Sequence, residues 1–456
     1  MAQPVTDGTR SEPSPPAVGE GASGPLGIAS LGRGLAACIP PIVVGLWMAA
    51  TTFPGGTLTP WRPHMVDLDV YRSAGATLLA GGDFYALPGP LPFIYPPFAA
   101  LLAVPLTVLP SAAVEIGWTV ASVLALLAML YRLGLKGWRL SLVGTACVYF
   151  VDPISETLGF GQPGILLMAL VVLDLVPGPA VLPRRILPPG VLTAISASVK
   201  LTPAIFVIYL IAVRRWRTAL TAIVTGVVLT LGSLLVLPGP SIDFWTRLAT
   251  GETGLGQSLI YYTNQSVMAD VVRILEPGRT SALIGLGSAV AVALVGVWAA
   301  MLWHRVGEIG LAVTLCGIAG VLASPVSWLH HFVWIVPLAV CLVGGDPSRR
   351  RVRLPIALVV WGWVFVGWVV AQLPITPAPL RRLPNGADLE LQWTWWQHAV
   401  ASVTAVLGVG LLVTSVVTAQ WWRSAPRASA PSGTPPDQDA DRMFRKPIST
   451  ADHHNA

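Results

Sequence analysis

The feature that most constrains this chain is a series of long apolar runs that contain almost no charge. Residues 282–302, for example, have no charged side chain, and roughly 20 such residues are what an α-helix needs to cross the bilayer core. The hydrophobic fraction of 54% and the mean hydropathy of +0.68 exceed what a soluble core requires. The sequence therefore predicts an all-α integral membrane protein that crosses the bilayer many times.

The positions of the arginines predict its topology. Loops that keep lysine and arginine usually face the cytoplasm, so we place the basic clusters inside: Arg132/Lys136/Arg139, Arg184/Arg185, Arg214/Arg215/Arg217, Arg305, Arg349/Arg350/Arg351/Arg353 and Arg423/Arg427. The net charge of +6 is thereby a topology signal and not a sign of nucleic-acid binding. The predicted crossings are 34–53, 112–131, 140–156, 161–178, 188–199, 202–213, 218–237, 280–303, 309–325, 329–345, 354–373 and 396–418. The two segments that flank Lys200 are shorter than a span, so broken or re-entrant helices there lower the count from twelve to ten or eleven.

Three regions follow from this path. Residues 1–30 and 421–456 are polar and rich in Pro, Ser and Gly, which predicts disordered tails around a membrane domain at 31–420. Outer loops are expected at about 54–111, 238–279 and 375–395. The first should contain helices that lie on the outer leaflet, one of them opened by Pro96-Pro97. The cysteines show no CxxC spacing, so we expect small buried hydrophobes and neither disulfides nor zinc: Cys38, Cys147, Cys316 and Cys341.

The unusual polar residues all map to one side of the predicted membrane. They are Asp67, Asp69, Glu156, Gln162, Lys200, Asn264, Gln265, Ser266, Ser324, Ser327, His330 and His331. Carboxylates near hydrocarbon are costly unless they face protein or a wet cavity, so an acidic pair there is a functional hypothesis by default. We therefore predict a single cavity that opens to the outer face and admits lipid.

The residue types in this set indicate acid–base chemistry. The sequence has no HExxH motif and no Gly-rich phosphate loop. Asp67-Leu68-Asp69 matches a metal-binding Asp-x-Asp, but in a helix its two carboxylates would point about 200° apart, so we predict no metal. A carboxylate that acts as general base on a hydroxyl, with cations that stabilise a departing phosphate, fits better.

Simpler structural interpretations stay open at each position. Asp67 could be a helix N-cap, His330 and His331 could cap a helix, and Lys200 could extend to the lipid headgroups. The Asn264-Gln265-Ser266 trio could form a turn alone. We expect Tyr95-Pro96-Pro97 to shape the outer helix more than to contact a sugar.

Five motifs together resemble one family: Asp67-Leu68-Asp69-Val70-Tyr71, Leu91 to Ala100, Lys200-Leu201-Thr202-Pro203, Asn264-Gln265-Ser266 and Ser324 to His331. Their order and spacing are similar to those of the actinobacterial polyprenol-phosphate-mannose-dependent α-1,2-mannosyltransferases, over most of 34–418. The resemblance implies a GT-C bundle with about 10–12 transmembrane helices and outer-face juxtamembrane helices. It also implies a periplasmic site, inverting chemistry, a polyprenyl-phosphate-mannose donor and a glycolipid or lipoglycan acceptor, with no further cofactor.

The resemblance also implies roles for individual residues. Asp67 opens the Asp-x-x-Val-Tyr motif and is the expected general base. The expected substrate-binding residues are Asp69, Tyr71, Lys200, Asn264, Gln265, Ser327, His330 and His331, with the histidines near the donor phosphate. Two departures concern the acceptor: Gln162-Pro163-Gly164 lacks the family's asparagine, and Leu329 replaces a residue that is often acidic.

Other functions remain to be distinguished. A transferase of another pentose or hexose would share the same motifs. A lipid or sugar transporter would need access from both sides of the membrane, whereas the polar residues map to one side. A non-catalytic assembly subunit would tolerate alanine at the aspartate and at both histidines.

Overall fold

The computed structural model describes residues 28–50, 65–88, 91–251, 259–344, 350–364, 370, 373–374 and 389–424. Every regular element in these residues is helical, apart from one isolated antiparallel bridge between Asn264 and Trp328. The all-α prediction is confirmed. Most of both predicted tails, and the third outer loop up to residue 388, lie outside the described residues; 28–30 and 421–424 are helical.

The α-helices, numbered in chain order, are α1 (Ile28–Ala50), α2 (Val66–Leu79), α3 (Pro97–Ala103), α4 (Ser111–Arg132), α5 (Gly137–Phe150), α6 (Asp152–Phe160), α7 (Gly164–Leu175), α8 (Val191–Val199), α9 (Ile205–Ala212), α10 (Trp216–Val236), α11 (Pro238–Thr250), α12 (Val267–Leu275), α13 (Arg279–Arg305), α14 (Ile309–Ala323), α15 (Ile335–Val343), α16 (Arg350–Val364), α17 (Trp395–Ala401) and α18 (Val403–Ser424). Short 3₁₀ turns lie at Val104–Thr107, Thr202–Ala204, Leu329–Trp334 and Leu389–Gln392.

Among the described residues, four helices are long and apolar enough to cross a membrane alone: α4, α10, α13 and the 403–421 part of α18. The α6–α7 pair provides a fifth crossing only as a bent unit, with 118° between its two helices. The predicted span 140–156 is therefore divided, because Val151 adopts an extended conformation between α5 and α6. The other predicted crossings are built from shorter helices, among them α14, which is buried along nearly its whole length and packs against α7, α9, α13, α15 and α18. The result is a multi-pass helical bundle.

The short helices on either side of Lys200, α8 and α9, form a re-entrant pair. This is one of the two alternatives that the sequence left open for these segments. Helix α8 has nine residues and α9 has eight, so each is only about 13 Å long, less than half of the bilayer core. Gly190, just before α8, packs against the first turns of α10, and a Cβ there would lie 2.4 Å from the Thr218 carbonyl oxygen. Because α9 also ends where α10 begins, the chain enters and leaves at one end of the bundle and turns at Lys200.

The basic loops gather at that same end. Arg132 Nη1 donates to the Val176 carbonyl at 3.3 Å. Arg185 pairs with Asp174, and Arg353 Nη2 lies 2.7 Å from Glu308 Oε1. Arg132, Arg185 and Arg353 are thus at one end of the helices, while the Lys200 turn points to the other.

The first predicted outer loop contains a packed unit at the Lys200 end. Its core is aromatic, with Phe84 and Phe93 fully buried against Tyr95 and Tyr71. Pro97 is the first residue of α3, as the sequence predicted, because its fixed φ and missing N–H suit the start of a helix. This unit carries Asp67 to the bundle.

Candidate active site

Asp67 lies in the first turn of α2, and its position is fixed by the residue where the helix begins. Met65 adopts a left-handed conformation, with φ 48°, and its N–H donates to the Gly159 carbonyl at 2.9 Å. Met65 is therefore the N-cap, and the alternative that Asp67 caps the helix is wrong. The N-terminus of a helix favours a negative charge in its first turn, so the Asp67 carboxylate is placed where the helix stabilises it.

Asp69 lies on a different face of α2 from Asp67. It is exposed, whereas Asp67 is partly buried. Two residues apart in a helix means about 200° of rotation, so the two carboxylates cannot approach one metal ion together. In this structure the Asp-x-Asp pattern separates one inward carboxylate from one outward carboxylate.

Gln162 is the hydrogen-bond partner of Asp67. The turn that brings it there needs Gly161, which has φ +70° and whose Cβ, if present, would lie 2.6 Å from Leu68 Cβ. The Gln162 amide oxygen accepts from the hydroxyls of Tyr71 at 3.1 Å and Tyr95 at 3.3 Å. Because the oxygen is occupied, the amide N–H groups are free to donate to the Asp67 carboxylate, with which Gln162 forms a side-chain hydrogen bond.

The environment of Asp67 suits a base. Burial raises the pKa of its carboxyl from 3.8 to about 6, while the Gln162 hydrogen bond and the charge of Lys200 act in the opposite direction. A general base works best when its pKa lies near the working pH. Asp67 is therefore ionised at neutral pH and still basic enough to accept a proton.

Lys200 and His331 form a second centre beside the first. Lys200 Nζ lies 2.7 Å from His331 Nε2 and 5.6 Å from the centre of the Tyr95 ring. The Trp328 N–H donates to His331 Nδ1 at 3.2 Å, so in the neutral imidazole the proton is on Nε2 and faces Lys200. This Nε2–H can donate only to an uncharged amine, because an ammonium group has no acceptor.

The pKa of Lys200 agrees with this arrangement. Burial lowers this pKa from 10.5 to about 8, against a smaller raising effect of the Asp67 charge. An anion that bound beside Lys200 would raise the pKa of its amine again, since a nearby negative charge favours the protonated form.

His330 lies deeper than His331. Its ring packs against Phe160 at 4.8 Å and against His331 at 4.7 Å between ring centres. Its backbone oxygen accepts from the Thr157 hydroxyl at 2.9 Å. Its Nε2 is buried and has no hydrogen-bond partner in the part of the chain that the structure describes.

Asn264, Gln265 and Ser327 are close to these residues, but their side chains bond to the backbone. Asn264 Nδ2 donates to the carbonyls of Leu259 and Pro325 at 2.9 and 3.2 Å, and its Oδ1 accepts from the Ser327 N–H at 2.9 Å. Gln265 Nε2 donates to the Tyr262 carbonyl at 2.6 Å, and the Ser327 hydroxyl donates to the Val321 carbonyl. They join the 259–266 segment to the 324–331 segment, and their contact with substrate stays a prediction.

Arg273 supports the same junction and was not found from the sequence. Its guanidinium is fully buried, pairs with Asp270 and donates to the carbonyls of Tyr261 at 3.1 Å and Asn264 at 2.7 Å. A buried charge is costly unless it is paired and hydrogen-bonded. In the sequence, the only sign of this role is a pair of opposite charges three residues apart in a short helix. That pattern usually indicates a solvated face.

A cavity of about 630 Å³ lies next to both centres. Lys200, His331 and the Tyr95 ring form its polar wall, and Ile208 and Ala293 belong to its apolar side. The remaining lining comes from Tyr85, from parts of the segments 92–96, 201–205 and 320–328, and from the Phe244, Arg247 and Leu248 face of α11. Asp67 is not among the lining residues. Tyr95 lies between Asp67 and the cavity. Its hydroxyl bonds to Gln162, the partner of Asp67, and its ring faces Lys200.

Comparison with known proteins gives the family of this chain. The sequence model for glycosyltransferase family 87 matches residues 93–325. The chain belongs to glycosyltransferase family 87. It is therefore a membrane glycosyltransferase, and most of the residues that line the cavity fall within the matched range, whereas Asp67 and His331 lie outside it.

Relatives of this family 87 enzyme are similar over most of its length. A polyprenol-phosphate-mannose-dependent α-(1-2)-phosphatidylinositol mannoside mannosyltransferase of Mycobacterium tuberculosis H37Rv is 29% identical over 444 residues, 89% of this chain and 97% of that protein. A phosphatidylinositol pentamannoside mannosyltransferase of Mycobacterium tuberculosis CDC 1551 is 31% identical over 370 residues, covering 77% and 82%. A Mycolicibacterium smegmatis relative of the first kind is 28% identical over 401 residues, covering 79% and 88%. These matches confirm the family resemblance drawn from the motifs. No solved structure matches.

Proposed function

We propose that this family 87 enzyme transfers mannose from polyprenyl-phosphate-mannose to a mannosylated phosphatidylinositol lipid and forms an α-1,2 linkage with inversion. The observation that carries the proposal is the pair of centres on either side of the Tyr95 ring. Asp67 with Gln162 supplies a base, and Lys200 with His331 supplies a phosphate-binding group. A transfer reaction from a sugar phosphate needs both, a short distance apart.

In the proposed reaction a 2-hydroxyl of the acceptor mannose attacks the anomeric carbon of the donor. The new C–O bond forms on the face opposite to the phosphate while the anomeric carbon–phosphate oxygen bond breaks, so the configuration inverts. The hydroxyl proton passes to Asp67, and the bonding pair leaves with the phosphate. The products are the elongated glycolipid and polyprenyl phosphate, and the charge is balanced by the proton on Asp67.

Lys200 acts on the leaving group. The phosphodiester of the donor carries one negative charge, and a second develops as the sugar departs. A protonated Lys200 in a buried setting interacts with that growing charge more strongly than it would in water. His331 Nε2–H, directed by the Trp328 N–H, is a second donor at the same place. Phosphate needs no acid to leave, which is consistent with a neutral imidazole.

The apolar side of the cavity is suited to the isoprenoid chain. Ile208 and Ala293 face it from α9 and α13, and Ile208 is more than half exposed at the surface of the bundle. The basic loops lie at the opposite end, and the rule that positive loops stay inside supports a site on the periplasmic face. The lipid-linked donor would then enter laterally from the outer leaflet.

The test is transfer by the purified protein in detergent, with polyprenyl-phosphate-mannose and a phosphatidylinositol mannoside. The expected product has one additional hexose in its mass spectrum, attached by an α-1,2 linkage according to NMR. Transfer of arabinose or another sugar from its own polyprenyl phosphate, with mannose rejected, would change the donor assignment. Translocation of intact lipid in proteoliposomes without any glycosidic product would favour a transporter.

A further inference from the structure

The cavity has a second cation that the proposed reaction does not use. Arg247 lies on α11, and its guanidinium carbon is 4.6 Å from the centre of the Tyr85 ring. Tyr85 also stacks on Phe244 at 6.1 Å with 19° between the planes, and its hydroxyl donates to the Tyr95 carbonyl at 2.9 Å. The stacking contact holds the guanidinium on the cavity wall.

Arg247 has no carboxylate partner in the described part of the chain. Its Nε donates to the Asp243 carbonyl of its own helix at 3.4 Å, and no described ion pair includes it. The described lining of the cavity contains no aspartate or glutamate. Lys200 and Arg247 therefore face this space with no carboxylate on its described wall, although the Asp67 charge acts on Lys200 and the Asp83 and Asp243 charges act on Tyr85, beside Arg247. The terminal N–H groups of Arg247 have no described partner and are available as a planar pair of donors.

The depth of α11 indicates which anion Arg247 meets. Ile242, Trp245 and Leu248 are exposed apolar side chains on this short helix, whose other residues include Asp243 and Arg247. A helix of this kind lies in the headgroup region, where lipid phosphates are found. The donor phosphate, by contrast, must sit beside its anomeric carbon, next to Lys200 and within reach of Asp67.

We propose that Arg247 binds the phosphodiester of the lipid acceptor and so selects acceptors that carry a phosphate beside their mannose. The inference rests on the proposed function, which supplies a phosphatidylinositol-based acceptor. Arginine suits the task because its fork forms two parallel hydrogen bonds to phosphate oxygens. The cavity then holds two lipid phosphates, one at Lys200 and one at Arg247, with the mannose residues between them.

The experiment compares a phosphatidylinositol mannoside with octyl α-mannoside, which has no phosphate. In Arg247→Met the KM for the first should rise about tenfold or more, the usual effect of losing a hydrogen bond to a charged group. The KM values for octyl α-mannoside and for the donor should stay within about twofold of the wild-type values. Arg247→Lys should give a smaller rise, because the charge remains and the fork is lost. Arg279→Met, at an exposed arginine at the start of α13, is the matched control.

Two kinetic results would overturn the inference. A rise in the donor KM with either acceptor would place Arg247 at the donor phosphate. An equal rise for both acceptors would indicate a sugar or structural contact. Binding of glycerophosphoinositol, measured by calorimetry, tests the site without any transfer: it should be lost in Arg247→Met and kept in Arg279→Met. Absence of transfer by the wild type would end the proposed function, whereas transfer with unchanged binding in Arg247→Met would end this inference alone.

Discussion

Asp174 and Asp67 are carboxylates at opposite ends of the same bundle, and they differ in how many donors they meet. Asp174 pairs with Arg185 and accepts from the Gly190 N–H at 3.0 Å, the Thr193 N–H at 3.0 Å and the Thr193 hydroxyl at 2.7 Å. Asp67 has the Gln162 amide and the charge of Lys200. A carboxylate that accepts several hydrogen bonds stabilises the packing of two segments, here α7 and the start of α8. One with lone pairs left free can accept a proton.

The largest effect expected from this comparison is on activity in Asp67→Asn. The amide cannot act as a base, so kcat should fall by about 10²–10⁴. Because burial raises the pKa of the Asp67 carboxyl, its ionised form reduces folded-state stability at pH 7, and the asparagine variant should have an equal or higher Tm in detergent.

Asp69→Asn completes the Asp67 test, since it changes the exposed carboxylate of the same helix. Activity at the wild-type level in Asp67→Asn would remove Asp67 from the mechanism. Loss in Asp69→Asn alone would move the base to Asp69.

Asp174→Ala should lower stability and leave activity unchanged, the converse of Asp67→Asn. It leaves the Gly190 and Thr193 donors without their acceptor at a buried site, and we expect a loss of about 3 kcal/mol in the free energy of unfolding. Below its lowered Tm, the variant should keep its kcat. Thr193→Val, which removes only the hydroxyl bond, should cost about 1 kcal/mol. Thermal unfolding of detergent-purified protein measures both, and an undiminished Tm in Asp174→Ala would contradict the comparison.

Lys200→Gln should weaken binding of the donor. We expect the KM for the donor to rise about tenfold, since a charged hydrogen bond to phosphate is lost. Burial lowers the pKa of Lys200 to about 8, so in the wild type kcat/KM for the donor should fall as the pH rises above about 8 and the amine loses its proton. That alkaline limb should disappear in Lys200→Gln, and its persistence would assign it to another group.

The smallest expected effect is a shift of the acid limb in Gln162→Leu. In the wild type, kcat/KM should fall about tenfold per unit below pH 6, because the pKa of Asp67 is raised to about 6 and a protonated base is inactive. The Gln162 hydrogen bond favours the ionised carboxylate, so its removal raises that pKa and moves the limb to higher pH. A limb that moves to lower pH would show that Gln162 acts differently.

Much of the fold could be predicted because hydropathy and charge act over whole segments. The short runs beside Lys200 predicted broken or re-entrant helices, of which the structure has the re-entrant pair, and the arginine clusters predicted the end where it is anchored. The division of the 140–156 span could not be predicted, because it depends on one extended residue, Val151, inside an apolar run.

The site was harder to predict, because side-chain partners depend on local backbone geometry. The choice of Asp67 over Asp69 followed from the motif, but the pairing with Gln162 depends on the positive φ of Gly161 and the bend between α6 and α7. Asn264 has the residue type of a sugar ligand, yet its amide bonds to two backbone carbonyls. A polar side chain in a motif does not by itself show whether it faces substrate or its own chain.

The hairpin that carries Lys200 has its base at the end of the bundle opposite to the cavity. A molecule that wedged between Gly190 and the first turns of α10 would tilt this hairpin and withdraw Lys200 from the cavity. Such a compound would not need to enter the cavity or compete with the proposed lipid-linked donor. The base of the hairpin is thus a place where an inhibitor that approaches from the far end of the bundle could switch the enzyme off.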